Sequence, residues 1–302
     1  MEELKFINSL NHEVYYLAFK VENEKGNLVI SHGMAEHPER YEQLANYLNE
    51  AGISVYAIYH IGHGKYAKKL GHMADNEFNE CISNVSELVD LVKKDSDKPV
   101  ILLGHSMGSF IAQTYVTRFN NIDGLLLSGS TCYNGLFKMA NMLSKLVCAF
   151  SKDTSKESKF LDNLSFGTYN SKFKKEGHKF AWLNQDVNEV IKYENDPYCG
   201  FVCSQSFFKN FSNCLASLAN KNNLSKINKE LPILIIGGEN DPVSSYSKGL
   251  YKLFKQYQKL GLKKLEVLIY SNARHEIYLE KCKENVFKDT LSFINKVIEK
   301  EA

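Results

Sequence analysis

Arginine is nearly absent from this chain, standing only at positions 40, 118 and 274, so lysine carries almost all of the positive charge. Nor is there an excess of either sign: Lys+Arg number 37 against 35 Asp+Glu, a net charge of +2. A nucleic-acid binder concentrates positive charge on one face to neutralise phosphates, so this balance argues against that partner class. The Lys-rich runs 151–159 and 172–179 read as solvated faces or loops. No apolar run reaches the length that spans a bilayer, and Met1-Glu2-Glu3-Leu4-Lys5 lacks the basic-then-apolar order of a secretory signal. The seven cysteines show no regular spacing, and an odd, unpaired set predicts free thiols in a reducing compartment. Cys199 and Cys203 have no second pair at zinc spacing after them. Internal repeats and low-complexity linkers are missing as well. The expectation is a cytoplasmic protein with no cofactor, no metal and no nucleic-acid partner.

What is present is alternation of strand and helix. The 302 residues are enough to bury a substantial core. Residues 1–25 alternate weakly and predict one or two antiparallel strands. Short buried strands follow at 28–31, 53–59, 100–103 and 123–128. Between them, Pro38 opens a helix to about Glu50, a second amphipathic helix covers 78–93, and Phe110, Ile111, Tyr115 and Phe119 recur at helical spacing. This order is that of a parallel sheet covered on both faces, an α/β fold. The rhythm stops at 135–228, where apolar stretches at 136–150, 188–193 and 207–224 suggest helices. Strands resume at 231–237 and 265–270, with helices near 247–260 and 283–300. Residues 1–130 and 231–302 therefore read as one α/β core, and 131–230 as a mostly helical cap inserted between two strands.

Gly104-His105-Ser106-Met107-Gly108 sits where a buried strand turns sharply into a helix. A serine at such a corner is strained, and Gly104 and Gly108, two residues before and after, meet the steric demand of the elbow. A serine hydroxyl is a poor nucleophile until a base takes its proton, and the base needs an orienting acid. His275, after the last predicted strand, is the best placed of nine histidines. Asp241, in the loop after the strand at 231–237, is the best placed acid, with Glu239 as a rival closer to the strand end. Two backbone N–H groups must face the developing oxyanion. Met107, at the new helix N-terminus, supplies one, and Met34, in the loop after the strand at 28–31, is the choice for the second. His32 and His37 read as braces of that loop. His60, His63 and His72 lack a carboxylate at sensible spacing and read as a structural loop, not a metal site.

Five motifs occur in order: His32-Gly-Met-Ala-Glu-His37 with Arg40-Tyr41, Gly62-His63-Gly64, Gly104-His-Ser-Met-Gly108, Gly237-Gly-Glu-Asn-Asp-Pro242 and Arg274-His275-Glu276. With Trp182-Leu-Asn-Gln-Asp186 and Asn195-Asp-Pro-Tyr-Cys-Gly200, the sequence resembles the monoacylglycerol lipase and lysophospholipase branch of the α/β-hydrolases, the serine aminopeptidase-like hydrolases. The resemblance runs from about residue 25 to the C-terminus. It implies an α/β-hydrolase fold, Ser106, Asp241 and His275 as a triad, Met34 and Met107 as the oxyanion hole, and a lid over an acyl pocket. It further implies a small acyl ester as substrate, a monoacylglycerol or a lysophospholipid. A peptidase or thioesterase on the same fold, or a non-catalytic lipid-binding module, are the other readings. One departure stands out: the family has an aspartate where Tyr59 precedes His60. The segment 135–150 is apolar around most of a helix. It either packs wholly onto the core, or lines an acyl pocket while its outer edge makes peripheral contact with membrane lipid.

Overall fold

Strands buried on both faces need helices on both sides, and the order of apolar runs in this chain supplies them. The computed structural model describes residues 1–301. The strands are β1 (Glu2–Ile7), β2 (Glu13–Phe19), β3 (Gly26–Ser31), β4 (Ile53–Ile58), β5 (Val100–His105), β6 (Gly124–Ser128), β7 (Ile233–Gly238) and β8 (Leu265–Tyr270). They form one sheet in the order β1-β2-β4-β3-β5-β6-β7-β8. The β1–β2 and β2–β4 pairs are antiparallel, and every later pair is parallel. Strands β3 to β7 are buried along their whole length, which is why they read as continuous apolar runs and not as alternation.

The helices are α1 (Glu42–Glu50), α2 (Glu77–Asp95), α3 (Met107–Tyr115), α4 (Gly135–Ala149), α5 (Lys159–Phe166), α6 (Val187–Asn195), α7 (Gln205–Ser217), α8 (Lys221–Leu224), α9 (Lys248–Lys259) and α10 (Lys283–Glu301). Leu44 and Leu48 of α1 share a core with Phe293 and Val297 of α10 on one face of the sheet. On the other face Ile82 and Val85 of α2 pack with Ile111 of α3 and Leu253 of α9. Strand order reverses around β3, since β4 lies on one side of it and β5 on the other. Loops at the carboxyl ends of parallel strands converge at such a switch point, and that is where open α/β sheets place their sites.

Three local expectations need correction. Pro38 opens a 3-10 turn, Pro38–Tyr41, before α1; Tyr41, at φ −97° and ψ 5°, is the joint between them. The apolar stretch 207–224 is two helices, because the Asn220 side chain accepts the Asn222 N–H and starts α8 anew. Helix α5 was not anticipated; Ser158 caps it by accepting the Leu161 N–H, so a serine in a Lys-rich run starts a helix.

Between β6 and β7 the chain is helical, apart from one isolated bridge between Glu157 and Ser204. Helix α4 is seated in an unusual way. Its only buried residue is Ser144, whose hydroxyl lies 2.8 Å from Ser212 Oγ of α7, and Asn141 donates to Asn213 Oδ1 at 2.8 Å. Polar groups thus share the inward side with Phe137 and Val147, while Leu136, Met139, Met142, Leu146 and Phe150 are exposed. The expectation that this segment packs wholly onto the core does not hold. No helix among the described residues is long and apolar enough to cross a membrane.

Candidate active site

Strand β5 ends at His105 and α3 begins at Met107, so the whole turn falls on Ser106. Its backbone sits at φ 51° and ψ −117°, a region that costs a non-glycine residue on the order of 1–3 kcal/mol. The Ser106 N–H donates to Ser128 O of β6 at 2.9 Å, which helps hold the strained residue in place. A Cβ on Gly104 would collide with the Gly108 backbone, and one on Gly108 with the Ser31 backbone. Those two glycines let α3 press against β5 and β3 closely enough for the corner to form.

His275 and Asp241 meet from the loops after β8 and β7. The His275 Nδ1 lies 3.0 Å from Asp241 Oδ1, and both side chains are buried. Asp241 Oδ1 also accepts the Val243 N–H at 2.9 Å, which fixes the carboxylate. Ser106 and His275 line the same cavity, although no hydrogen bond joins them among the described residues. Glu239, the rival acid, is exposed and turned away, accepting from Ser271 Oγ and the Asn272 N–H, each at 3.0 Å.

Burial alone would push the His275 imidazole down, but the Asp241 charge and hydrogen bond, aided by Glu276 and Glu36, leave it above the ordinary histidine value. Neighbouring histidines behave oppositely. Burial lowers His105 to about 3, His32 to about 4 and His63 to about 3, and drives His60 well down, so all four stay neutral. The His32 ring is 4.6 Å from that of His60 and 5.3 Å from that of His63, a packed cluster beneath the loop after β3. His72 instead lies 3.2 Å from Ser204 Oγ, outside that cluster.

The loop after β3 carries Met34. Glu36 braces it by accepting the Gly33 N–H, the Tyr41 hydroxyl at 2.9 Å and Arg40 Nη1 at 2.8 Å. Burial would raise the Glu36 carboxyl, but Arg40, with His105, His32 and the Gly33 N–H, brings it to about 2. Because the Gly33 N–H is committed to Glu36, it is not free for a ligand. Among the described residues the Met34 and Met107 N–H groups have no protein acceptor. Arg40 also grips Glu276 through two bonds of 2.5 and 2.8 Å, which ties the Met34 loop to the residue after His275.

Sequence reasoning assigned no role to Glu36, Arg40, Glu276, Trp182 or Glu280. The Trp182 ring is 5.1 Å from that of His275, and the Glu276 N–H donates to Leu183 O at 2.9 Å. Glu280 accepts both the Arg274 N–H at 2.8 Å and the Gln185 N–H at 3.0 Å. Segment 181–185 is thus fastened on both sides of His275. The motifs containing Trp182 and Glu276 were visible in the sequence; their contact was not. The Tyr59 departure is also resolved, since its hydroxyl donates to Glu39 Oε1 at 2.5 Å.

Two cavities meet at Ser106 and Met34. One, of about 320 Å³, is walled by Phe166, Phe180, Trp182 and Leu183 and carries polar groups including Asn170 and Lys179 among them. The other, of about 170 Å³, is walled by Met107, Phe110, Phe137, Leu164, Phe211 and Val243.

Residues 22–282 match the family described as serine aminopeptidase, S33. A monoglyceride lipase from Homo sapiens is 30% identical over 259 residues, covering 85% of this chain and 77% of that protein. A monoglyceride lipase homolog from Monkeypox virus is 29% identical over 276 residues, covering 89% of each. Among solved structures, a thermostable carboxyl esterase from Bacillus coagulans in complex with glycerol superposes with a TM-score of 0.90, at 25% identity over 98% of both chains.

Proposed function

We propose, from the premise that the chain belongs to the serine aminopeptidase, S33 family and to the monoacylglycerol lipase branch of the α/β-hydrolases, that Ser106, His275 and Asp241 are its catalytic triad. The protein is a carboxylic ester hydrolase. The observation that carries the triad is the buried His275–Asp241 bond beside a serine strained at φ 51°. His275 takes the Ser106 proton, the alkoxide attacks the ester carbonyl, and the free Met34 and Met107 amides hold the oxyanion. His275 then returns the proton to the departing alcohol, and water repeats the cycle on the acyl-enzyme.

The two cavities suggest how an ester lies. The acyl chain occupies the apolar one, where each buried methylene is worth about 0.8 kcal/mol. The alcohol occupies the other, whose aromatic walls carry more polar groups. That division suits a monoester of a small polar alcohol, and we read the substrate as a monoacylglycerol, with residues 131–230 acting as its lid. Turnover of glycerol monoesters of increasing chain length, beside a lysophospholipid and an aminoacyl amide, tests this. The monoesters should dominate and improve with chain length; faster turnover of the amide would replace the lipase reading with a peptidase one.

A base must be neutral to act, so kcat/KM should fall with decreasing pH as His275 gains a proton. Because Asp241 holds that imidazole above the ordinary value of about 6.5, the acid limb should lie above it. A pH–rate profile that stayed flat down to about pH 5 would remove His275 as the base.

The outward row on α4, joined by exposed Phe160 and Leu164 of α5, is read as a surface that dips into lipid with Lys138 and Lys145 at the headgroups. Anionic vesicles should raise long-chain monoester turnover. Met142→Glu or Leu146→Glu should weaken vesicle partition roughly ten- to hundredfold, since burying one such side chain is worth about 1.5–3 kcal/mol. Neither residue lines the apolar cavity, so a short soluble ester should be spared. Equal loss on both substrates would end the membrane reading.

A further inference from the structure

Three side chains that no step of the proposed reaction uses converge where the loop after β3 meets the segment after α6. His37 Nε2 lies 2.8 Å from Asp196 Oδ2. Together with Cys199 Sγ, these ligand-capable atoms all fall within 4.8 Å of one another. His37 and Cys199 are buried, and Asp196 is partly open to solvent.

Each group is held from behind. His37 Nδ1 is 2.7 Å from Glu39 Oε2, and the other Glu39 oxygen accepts the Tyr59 hydroxyl at 2.5 Å. Asp196 Oδ1 accepts the Tyr198 N–H at 2.8 Å, which leaves Oδ2 facing His37. The Cys199 N–H donates to Asp196 O at 3.1 Å, so the thiol and the carboxylate share one turn. A carboxylate on the far ring nitrogen is the arrangement that orients a metal-binding imidazole. Here Tyr59, the residue that departs from the family pattern, fixes that carboxylate.

We propose that His37, Asp196 and Cys199 form a zinc site with a fourth position open to water. A thiolate, an imidazole and a carboxylate suit a borderline ion such as Zn²⁺, whereas magnesium and calcium prefer oxygen alone. Ligand atoms around tetrahedral zinc stand roughly 3.5 Å apart. The His37–Asp196 pair, at 2.8 Å, therefore has to open by less than about 1 Å. Cys199 Sγ, within 4.8 Å of both, has to close by up to about 1.3 Å. On binding, the Cys199 thiol and the His37–Asp196 contact each release a proton to solvent, and the ion takes their place. The two anionic ligands neutralise the dication. Arg40, whose charge reaches Cys199, is already paired with Glu36 and Glu276, and Lys65 lies 3.4 Å from Glu39.

Filling the site ties the Met34 loop to the cap at a joint where Ala35 O already accepts the Tyr193 hydroxyl at 2.8 Å and the Gly200 N–H at 3.0 Å.

The test uses the full chain, stripped with a chelator and titrated with Co²⁺ as a visible probe, then with Zn²⁺. One cobalt per chain should bind, with tetrahedral d–d bands and a thiolate-to-cobalt charge-transfer band, and zinc should discharge both. Cys199→Ser should lose the charge-transfer band. Glu39→Gln should keep it while weakening affinity about 10–100-fold. No thiolate band in the wild type overturns the proposal. So does an undiminished band in Cys199→Ser, which would place the ion at another of the seven cysteines. If Cys199→Ser does not fold, Glu39→Gln decides alone: unchanged affinity overturns the site.

Discussion

Ser106→Ala is expected to lower ester turnover on the order of a million-fold while leaving the thermal midpoint close to that of the wild type. The substitution removes one hydroxyl that faces a cavity and donates to no protein group among the described residues. Alanine meets the same strain at φ 51° that serine meets, so the elbow gains no relief and loses no packing. Free Met34 and Met107 amides would still bind the ester carbonyl, so substrate affinity should survive while the covalent step disappears. Burst kinetics and labelling by a fluorophosphonate check this directly: label should attach to the wild type at Ser106 and not to the variant. A purified variant that retained a sizeable share of turnover would move the nucleophile elsewhere.

The second large effect separates two carboxylates only two residues apart. Asp241→Asn should cost roughly ten-thousand-fold in kcat with little change in KM, whereas Glu239→Gln should be nearly silent. An asparagine at 241 can present its amide N–H to His275 Nδ1, which stabilises the tautomer that carries its proton on the wrong nitrogen. It also removes the charge that holds His275 up, so the acid limb of residual activity should move to lower pH. Glu239 only anchors Ser271 and Asn272 at the surface. A deep loss in Glu239→Gln with a mild one in Asp241→Asn would exchange the two roles.

The parts of this molecule that could be read from the chain are those whose cause is local. A strand is apolar because both of its faces are covered, and the serine corner is written in two glycines at fixed offsets. The order serine, aspartate, histidine follows because each stands just past the end of its own strand. Contacts between distant segments left no such trace. His37 and Asp196 are 159 residues apart, and Arg40 and Glu276 are 236 apart. Helix α4 shows the same limit: its periodicity gives the width of the apolar face but not its direction. That direction follows from Ser212 and Asn213 of α7, which offer polar partners, together with the core contacts of Phe137 and Val147, and the remaining apolar row faces outward.

The position of the helical insertion bears on the order in which the chain acquires its parts. β6 and β7 are hydrogen-bonded neighbours, yet the whole of α4 to α8 separates them in sequence. Joining them closes a long loop, whose entropic cost rises with the logarithm of its length, so this pairing is late unless the intervening helices collapse first and bring their ends together. Ser106 and the Met34 loop belong to the segment made before that closure, and Asp241 and His275 to the segment that depends on it. A chain emerging from synthesis therefore carries the proposed nucleophile long before it carries the proposed acid and base, and the half-built sheet holds only part of the candidate site.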